Sequence, residues 1–315
     1  AIPTYASPMR PFRFGSPHMS PITDDAAWLG SVRAVEAAGY STVLLSDHFE
    51  RSPLAPIPAL AAAGSATSNL RLGSLVLAND SRHPAVLAKE LPTIDRLSSG
   101  WLEVGLGAGW MVDDYDQAGI DLQSAGPRID RFENALTINT ASHECEEAEG
   151  LGPKYPVRAI PPVPRAVQQP RPPILFGGGG QRILRLAATR ADIVSINRKL
   201  TDGRFNTTAI RSGDATHTEE QVNWMREAAG DRFDQLELHL QIYLAAITHT
   251  PQKVAEHWCE QLGFVIDMSE LLGSPHVLVG SFDDLEAKIQ RLRDWWGLSY
   301  LSFYDTAAQE MGPLV

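Results

Sequence analysis

Cysteine is almost absent from this chain: two residues in 315, Cys145 and Cys259, far apart and in neither a CxxC nor a Cys/His spacing. That excludes a disulfide framework and a structural zinc site, and it fits a reducing cytosol. Positive charge is also scarce, with 27 Lys and Arg against 38 Asp and Glu and a formal charge of -11. A chain so acidic does not present a nucleic acid or an anionic membrane with its main binding surface, so any anion site has to be local. No apolar run reaches the roughly 18 residues of a membrane span, and the opening "AIPTYASPMRPFRFG" lacks the apolar centre of a signal peptide. The expected protein is cytoplasmic and acts on a small molecule, with no nucleic-acid or membrane partner. Motifs of rival chemistries are missing too: no G-x-S-x-G elbow, no HExxH and no P-loop occurs. The segment "SHECEE" at 142–147 reads as a solvated acidic face rather than a metal cluster, and no metal is expected.

What the chain does have is a rhythm. Short strand-like runs, "FRFG" around Phe14, "TVLLS" around Leu44, "LGSLVL" around Ser74 and "LEVGLG" around Val104, are centred about thirty residues apart. Helical patterns fill the gaps. The first has Thr23 as N-cap, Asp24 and Asp25 in its first turn, Trp28, Val32 and Val35 on one face, and Gly39 as its stop. A later one starts at Pro84, meets Pro92, where a kink is expected, and ends at Gly100. Four more runs follow, "PILFGGGG", "ADIVSIN", "LELHLQIYLAAI" and "LSYLSFYD". Eight apolar strands alternating with helices predict the α/β class and a (β/α)8 TIM barrel. The rhythm breaks once, between strands 4 and 5, so residues 111–172 are expected to be an insertion or lid within a single domain spanning 1–315. The proline-rich part of that span, "GLGPKYPVRAIPPVPRAVQQPRPP", is expected to run as an extended arm.

In such barrels the chemistry lies where the strands end. The polar residues just past the apolar runs are His18, Asp47 and His48, Asn79 and Asp80, Trp110 and Asp113, the run Gly177 to Gly180, and Asn197 to Lys199. Singly, each is a plausible turn former or cap; together they mark one end of a barrel. In "VLLSDHF" two titratable groups stand directly behind three aliphatic residues. "ILFGGGGQRILRLAA" is a strand, four glycines and a helix beginning near Gln181, which offers backbone N–H groups and a helix dipole to a phosphate, with Arg182 adding charge. "GLGAGW" at 105–110 begins like a dinucleotide fingerprint but lacks the third glycine; its glycines would let a flat ring lie against the backbone.

Taken in order, "FRFG", "GYSTVLLSDHF", "LRLGSLVLANDSRHPAVLAKE", "LSSGWLEVGLGAGW", "RIDRFENAL" and "PPILFGGGG" resemble the bacterial luciferase-like superfamily, most of all its deazaflavin oxidoreductases, which use coenzyme F420. The likeness weakens between Thr137 and Gln169. It implies hydride transfer between F420 and a small organic substrate in a homodimer, with His48 and Asp47 catalytic and Asp47 orienting His48. It implies a cofactor held by Ser74, Leu75, Val76, Gly107, Ala108, Trp110, Gly177, Gly178, Gly179, Gly180 and Arg182, and a non-proline cis peptide between Leu75 and Val76. Where a sugar-phosphate dehydrogenase of the family has a glutamate, this chain has Trp110, which speaks against a sugar phosphate. Arg51, Arg82, Arg182, Arg198 and Lys199, all in strand-end loops, match the anionic tail of F420. Two alternatives stand beside this reading: an FMN-dependent two-component monooxygenase of the same type, and a barrel that binds flavin or deazaflavin without catalysis.

Overall fold

A computed structural model describes residues 10–20, 27–144, 154–157 and 164–315. The strands are β1 (Arg13–Pro17), β2 (Thr42–Leu45), β3 (Arg71–Ser74), β4 (Leu77–Ala78), β5 (Leu102–Gly107), β6 (Ile174–Gly178), β7 (Ile193–Ile196), β8 (Glu237–Ile242), β9 (Leu244–Ile247), β10 (Val277–Gly280) and β11 (Leu298–Phe303). Nine of them form one sheet in the order β3-β2-β1-β11-β8-β7-β6-β5-β4, and β3 also pairs with β5. Because β3 and β4 are halves of a single strand, interrupted at a cis peptide between Leu75 and Val76, the sheet has eight staves. This is the (β/α)8 barrel that the thirty-residue rhythm predicts. Every predicted strand is present, with one correction. "LELHLQIYLAAI" is not one strand but two: β8 stays in the barrel sheet, while β9 pairs in parallel with β10. The chain leaves because Leu244 and Val279 pack against a separate apolar cluster built on Ile210, Ala255, Cys259, Leu271 and Val277.

The chain divides into two compact units, one of residues 18–36 and 42–175, the other of 1–17, 37–41 and 176–315. In the first unit the helix Ala27–Ala37 buries Trp28, Val32 and Val35, the stripe expected of it; its expected cap, Thr23 with Asp24 and Asp25, lies outside the described residues. The helix Pro84–Leu97 continues through Pro92 and buries Leu87, Leu91 and Ile94. Past its end Gly100 takes φ +90° and donates its N–H to the carbonyl of Asp95. In the span 111–172 the structure has helices Val112–Ala118 and Ala125–Glu144. The longer one buries Phe132, Ala135 and Leu136 and lies along Pro84–Leu97, as a member of the helical layer. The proline-rich arm is described only in part. Its end is pinned where the buried Asp95 accepts from the N–H of Val167 at 2.7 Å and of Gln168 at 3.0 Å. Cys145, the rest of the acidic segment to Glu147, and residues 158–163 lie outside the described residues.

In the second unit β7, β8 and β11 pair in parallel over a polar interior. His239 is fully buried between the hydroxyls of Ser195, 2.8 Å from Nδ1, and Ser302, 2.9 Å from Nε2. Burial holds this imidazole neutral and pushes its pKa down to about 3. The helix Phe282–Trp296 starts at a capping box made by Ser281 and Asp284 and buries Leu285, Ile289, Leu292 and Trp296.

Candidate functional site

The first unit gathers most of the expected polar residues. The aliphatic residues of β2 end at Leu45, and the next three residues turn outward to find partners. Asp47 accepts the N–H of Ala78 at 2.9 Å and forms a two-pronged ion pair with Arg82, whose Nη2 lies 3.0 Å from Oδ1 while Nη1 bonds Oδ2. Asp47 therefore ties the end of the second strand to that of the third and is not the orienter of His48. That role belongs to Asp114, near the start of the helix Val112–Ala118, whose Oδ2 lies 2.6 Å from His48 Nδ1. Asp114 also accepts the N–H of Phe49 at 3.0 Å, and the N–H of His48 is held by Ser52 Oγ at 3.0 Å. The Trp110 ring meets the imidazole edge-on, with centroids 5.6 Å apart. With a carboxylate on Nδ1, the neutral ring carries its proton there, leaving the Nε2 lone pair without a partner among the described residues.

Sequence reasoning selected Asp113, which is exposed, and passed over its neighbour Asp114. The available signal was a pair of aspartates in the first turn of a short helix just after a strand. It also missed Arg131 and Tyr115, which hold the expected Asp80: Arg131 from Nε at 3.0 Å and Nη2 at 2.6 Å, Tyr115 through its hydroxyl at 2.9 Å. Burial first, and then the Asp80 carboxylate, keep the Tyr115 phenol protonated well above its ordinary range. Asn79 donates to Tyr155 Oη at 3.2 Å, and His18 is buried with its ring against Trp28.

The peptide bond between Leu75 and Val76 is cis, at the position implied by the resemblance. The Ser74 hydroxyl, expected at a cofactor, is occupied inside the sheet: it donates to the carbonyl of Gly105 at 2.8 Å and accepts its N–H at 3.0 Å. A Cβ on Gly105 would stand 1.7 Å from the backbone carbonyl oxygen of Ser74, and one on Gly107 would stand 2.6 Å from Val76 Cγ2. Gly105 and Gly107 of "GLGAGW" are thus required by the approach of β5 to the interrupted third strand, and Gly109 by its φ of +75° and the Tyr115 hydroxyl, 2.0 Å from where its Cβ would stand. Ala108 and Trp110 are partly exposed where β5 ends.

In the second unit the glycine run ends β6 and starts the helix Gln181–Arg190, with Gly180 as its N-cap. Two of these glycines are accounted for by packing rather than by a ligand. A Cβ on Gly178 would meet Ile183 at 2.5 Å, and one on Gly179 would meet the backbone carbonyl oxygens of Arg198 at 2.3 Å and Asn197 at 2.6 Å. Gly180 faces open space, with nothing within 4 Å. Gly177 is half-buried, and Arg182 is exposed in the first helical turn. An open N-cap at the head of a ten-residue helix has the backbone donors and dipole that suit a phosphate. Past β7, Asn197 accepts the Tyr243 hydroxyl at 2.5 Å, and Lys199 Nζ lies 5.4 Å from the Trp224 ring centroid. Of the five cations expected at an anionic tail, Arg82 is thus committed to Asp47 and Arg198 is buried. Among the described residues no helix is long and apolar enough to cross a membrane, and no group of three or more His, Cys, Asp or Glu could hold a metal ion.

A family model described as luciferase-like monooxygenase matches residues 10–221. Among curated proteins, the uncharacterized protein y4vJ of Sinorhizobium fredii is 33% identical over 157 residues, which is 48% of this chain and 43% of that protein. The chain spans less than two thirds of the length of the first curated relatives it matches. Among solved structures, the coenzyme F420-dependent tetrahydromethanopterin reductase of Methanopyrus kandleri superimposes with a TM-score of 0.75 at 16% identity, covering 96% of this chain and 98% of that one. The oxygenating constituent of 3,6-diketocamphane monooxygenase from Pseudomonas putida, solved with FMN, gives 0.66 at 15% identity, covering 97% and 99%. At such identities the two structures establish a shared fold.

Proposed function

Because the chain belongs to the luciferase-like monooxygenase family, we propose that it is an oxidoreductase that transfers a hydride between coenzyme F420 and a small organic substrate. The observation that carries this reading is His48, fixed at a strand end by Asp114 at 2.6 Å and flanked by Trp110, with Nε2 left to exchange a proton. The residues present fit a flat ring and a phosphate. Within the first unit the cis segment Leu75–Val76 with Gly107, Ala108 and Trp110 is the proposed ring wall; within the second, taken by itself, the N-cap at Gly180 with Gly177 and Arg182 suits a phosphate. Bound F420 supplies a ring carbon that exchanges a hydride. The chain supplies the proton balance: His48 donates to or accepts from the substrate heteroatom through Nε2, while Asp114 fixes the tautomer and stabilises the imidazolium. Asp47, paired with Arg82, acts by holding strand ends two and three in register rather than by touching the reacting atoms.

The same residues serve a second reading, an FMN-dependent monooxygenase, which the family's description and the likeness to an FMN-bound enzyme favour. Fluorescence titration of the protein with F420 and, separately, with FMN decides between them. Tighter binding of F420 supports hydride transfer, and tighter binding of FMN overturns it in favour of oxygenation. Binding of either without turnover of any substrate would point to a non-catalytic barrel.

A further inference from the structure

Arg198 is an anomaly. It follows β7, only 1% of its surface is exposed, and none of Nε, Nη1 and Nη2 has a hydrogen-bond partner among the described residues. No carboxylate reaches it among the described residues. Its surroundings are rings: the guanidinium carbon lies 4.4 Å from the Tyr243 centroid and 5.7 Å from that of Phe205. Gly213 and His276 adjoin it as well; a Cβ on Gly213 would stand 2.7 Å from Arg198 Nε and 2.8 Å from His276 Cδ2, so glycine is required there to seat the arginine. His276 adds no charge. Its Nδ1 lies 2.8 Å from the carbonyl oxygen of Gln241, which must accept, so Nε2 is an unprotonated acceptor that is itself buried without a partner. Burial, reinforced by the charge of Arg198, pushes this imidazole down to about 3. Arg198 is lowered only to about 10 by burial and stays a cation at neutral pH.

A guanidinium carries five N–H donors in one plane, and enclosing it unpaired is among the least favourable arrangements a fold can contain. Tyr243 and His276 are neutral, Lys199 is directed at Trp224, and the other buried cation here, Lys288, is held by the carbonyl oxygens of Leu272 at 2.9 Å and Ser274 at 2.8 Å, so the guanidinium is the cation whose donors are unspent among the described residues. A single planar cation stacked on an aromatic face is matched by a planar monoanion that takes two parallel N–H bonds. A dianion such as phosphate would bring more negative charge into the same enclosure than one guanidinium neutralises. We infer that Arg198 is a specificity residue that receives the carboxylate of a small organic substrate, with Tyr243 against the guanidinium and Gly213 letting the arginine side chain sit there. Only the word substrate rests on the proposed function; binding of the carboxylate does not.

The test is a thermal-shift and calorimetric titration of the whole protein with acetate, benzoate and phenylacetate, alongside benzamide and inorganic phosphate, in the wild type and in Arg198→Met and Arg198→Lys. At least one carboxylate is expected to raise the Tm of the wild type, benzamide and phosphate are not, and Arg198→Met should weaken that carboxylate by about 10- to 100-fold. Without ligand, Arg198→Met should melt no lower than the wild type, because an unpaired buried charge has been replaced by an apolar side chain of similar length. Absence of any carboxylate effect, an effect that persists in Arg198→Met, an equal response to phosphate, or a fall in the Tm of unliganded Arg198→Met would each overturn the inference. F420 and FMN affinities are measured on the same variants. Unchanged affinity in Arg198→Met supports a substrate site, and its loss would assign Arg198 to the cofactor instead. A wild type that binds a carboxylate but neither cofactor would sink the proposed oxidoreductase function and leave the carboxylate site standing.

Discussion

The two units differ in how the candidate polar groups past their strand ends are satisfied. In the unit of residues 18–36 and 42–175 nearly every charged side chain near a strand end is matched inside the protein: Asp47 by Arg82, Asp80 by Arg131 and Tyr115, His48 by Asp114. In the other unit Arg198 and the Nε2 of His276 are enclosed without partners among the described residues. A matched network fixes geometry, because each group has a single good arrangement; an unmatched one leaves binding capacity for something else. The comparison teaches that one unit fixes the geometry of His48, the proposed proton carrier, while the other leaves donors of Arg198 unspent, as the proposed carboxylate site requires.

The strongest challenge to this contrast is His48→Ala. It should slow a single turnover with prebound reduced cofactor by about 10²- to 10⁴-fold while leaving cofactor affinity near wild type. A rate within twofold of the wild type would return His48 to a structural role. Next in size is the acid response of the unmatched unit. The pKa of both His239 and His276 is pushed down to about 3 by burial, so between pH 3 and 6.5 the unfolded chain binds more protons than the folded one. Their contribution is fully present above about pH 6.5 and is lost as the pH falls, at up to about 1.4 kcal/mol per pH unit for each group. Urea unfolding from pH 7 to 4.5 checks this, and His239→Gln should flatten the slope.

Asp80→Ala leaves Arg131 and the Tyr115 hydroxyl without their acceptor and should cost about 3 kcal/mol in the same assay. A loss below 1 kcal/mol would show that the matched network is not a stabilising one. The smallest effects separate the glycines. Gly180→Asp meets open space and should leave stability within about 0.5 kcal/mol while weakening phosphate-bearing cofactors about tenfold. Gly179→Asp is not an equivalent probe, since its Cβ would enter the carbonyls of Asn197 and Arg198 and the fold itself would suffer. Equal melting temperatures for the two variants would contradict the packing account.

Much of the fold was legible in the chain because it is written in local patterns. Strands of four to six apolar residues, the stripe Trp28, Val32 and Val35, and the stop at Gly39 report burial and backbone geometry within a few residues. The cis peptide at Leu75–Val76 was reached through the resemblance, not through any local pattern. The site was legible only as a set of addresses. That Asp47, Asp80 and His48 lie past strand ends follows from the rhythm, but who pairs with whom does not, since Asp47 meets Arg82 35 residues away and His48 meets Asp114 66 residues away. Adjacency in sequence made Asp47 look like the partner of His48, and three-dimensional distance gave that place to Asp114.

The sequence by itself determined the class, the eight staves and the end of the barrel where polar residues collect, because hydrophobic periodicity and glycine stops act over one turn or one strand. Only the tertiary structure decided which glycines are there for packing, which cations are already paired, and that Arg198 is buried among Tyr243, Phe205 and Gly213 with no counter-charge among the described residues. The reason is physical: pairing and desolvation depend on distances of a few ångströms between residues far apart in the chain, and no periodicity along the chain encodes them.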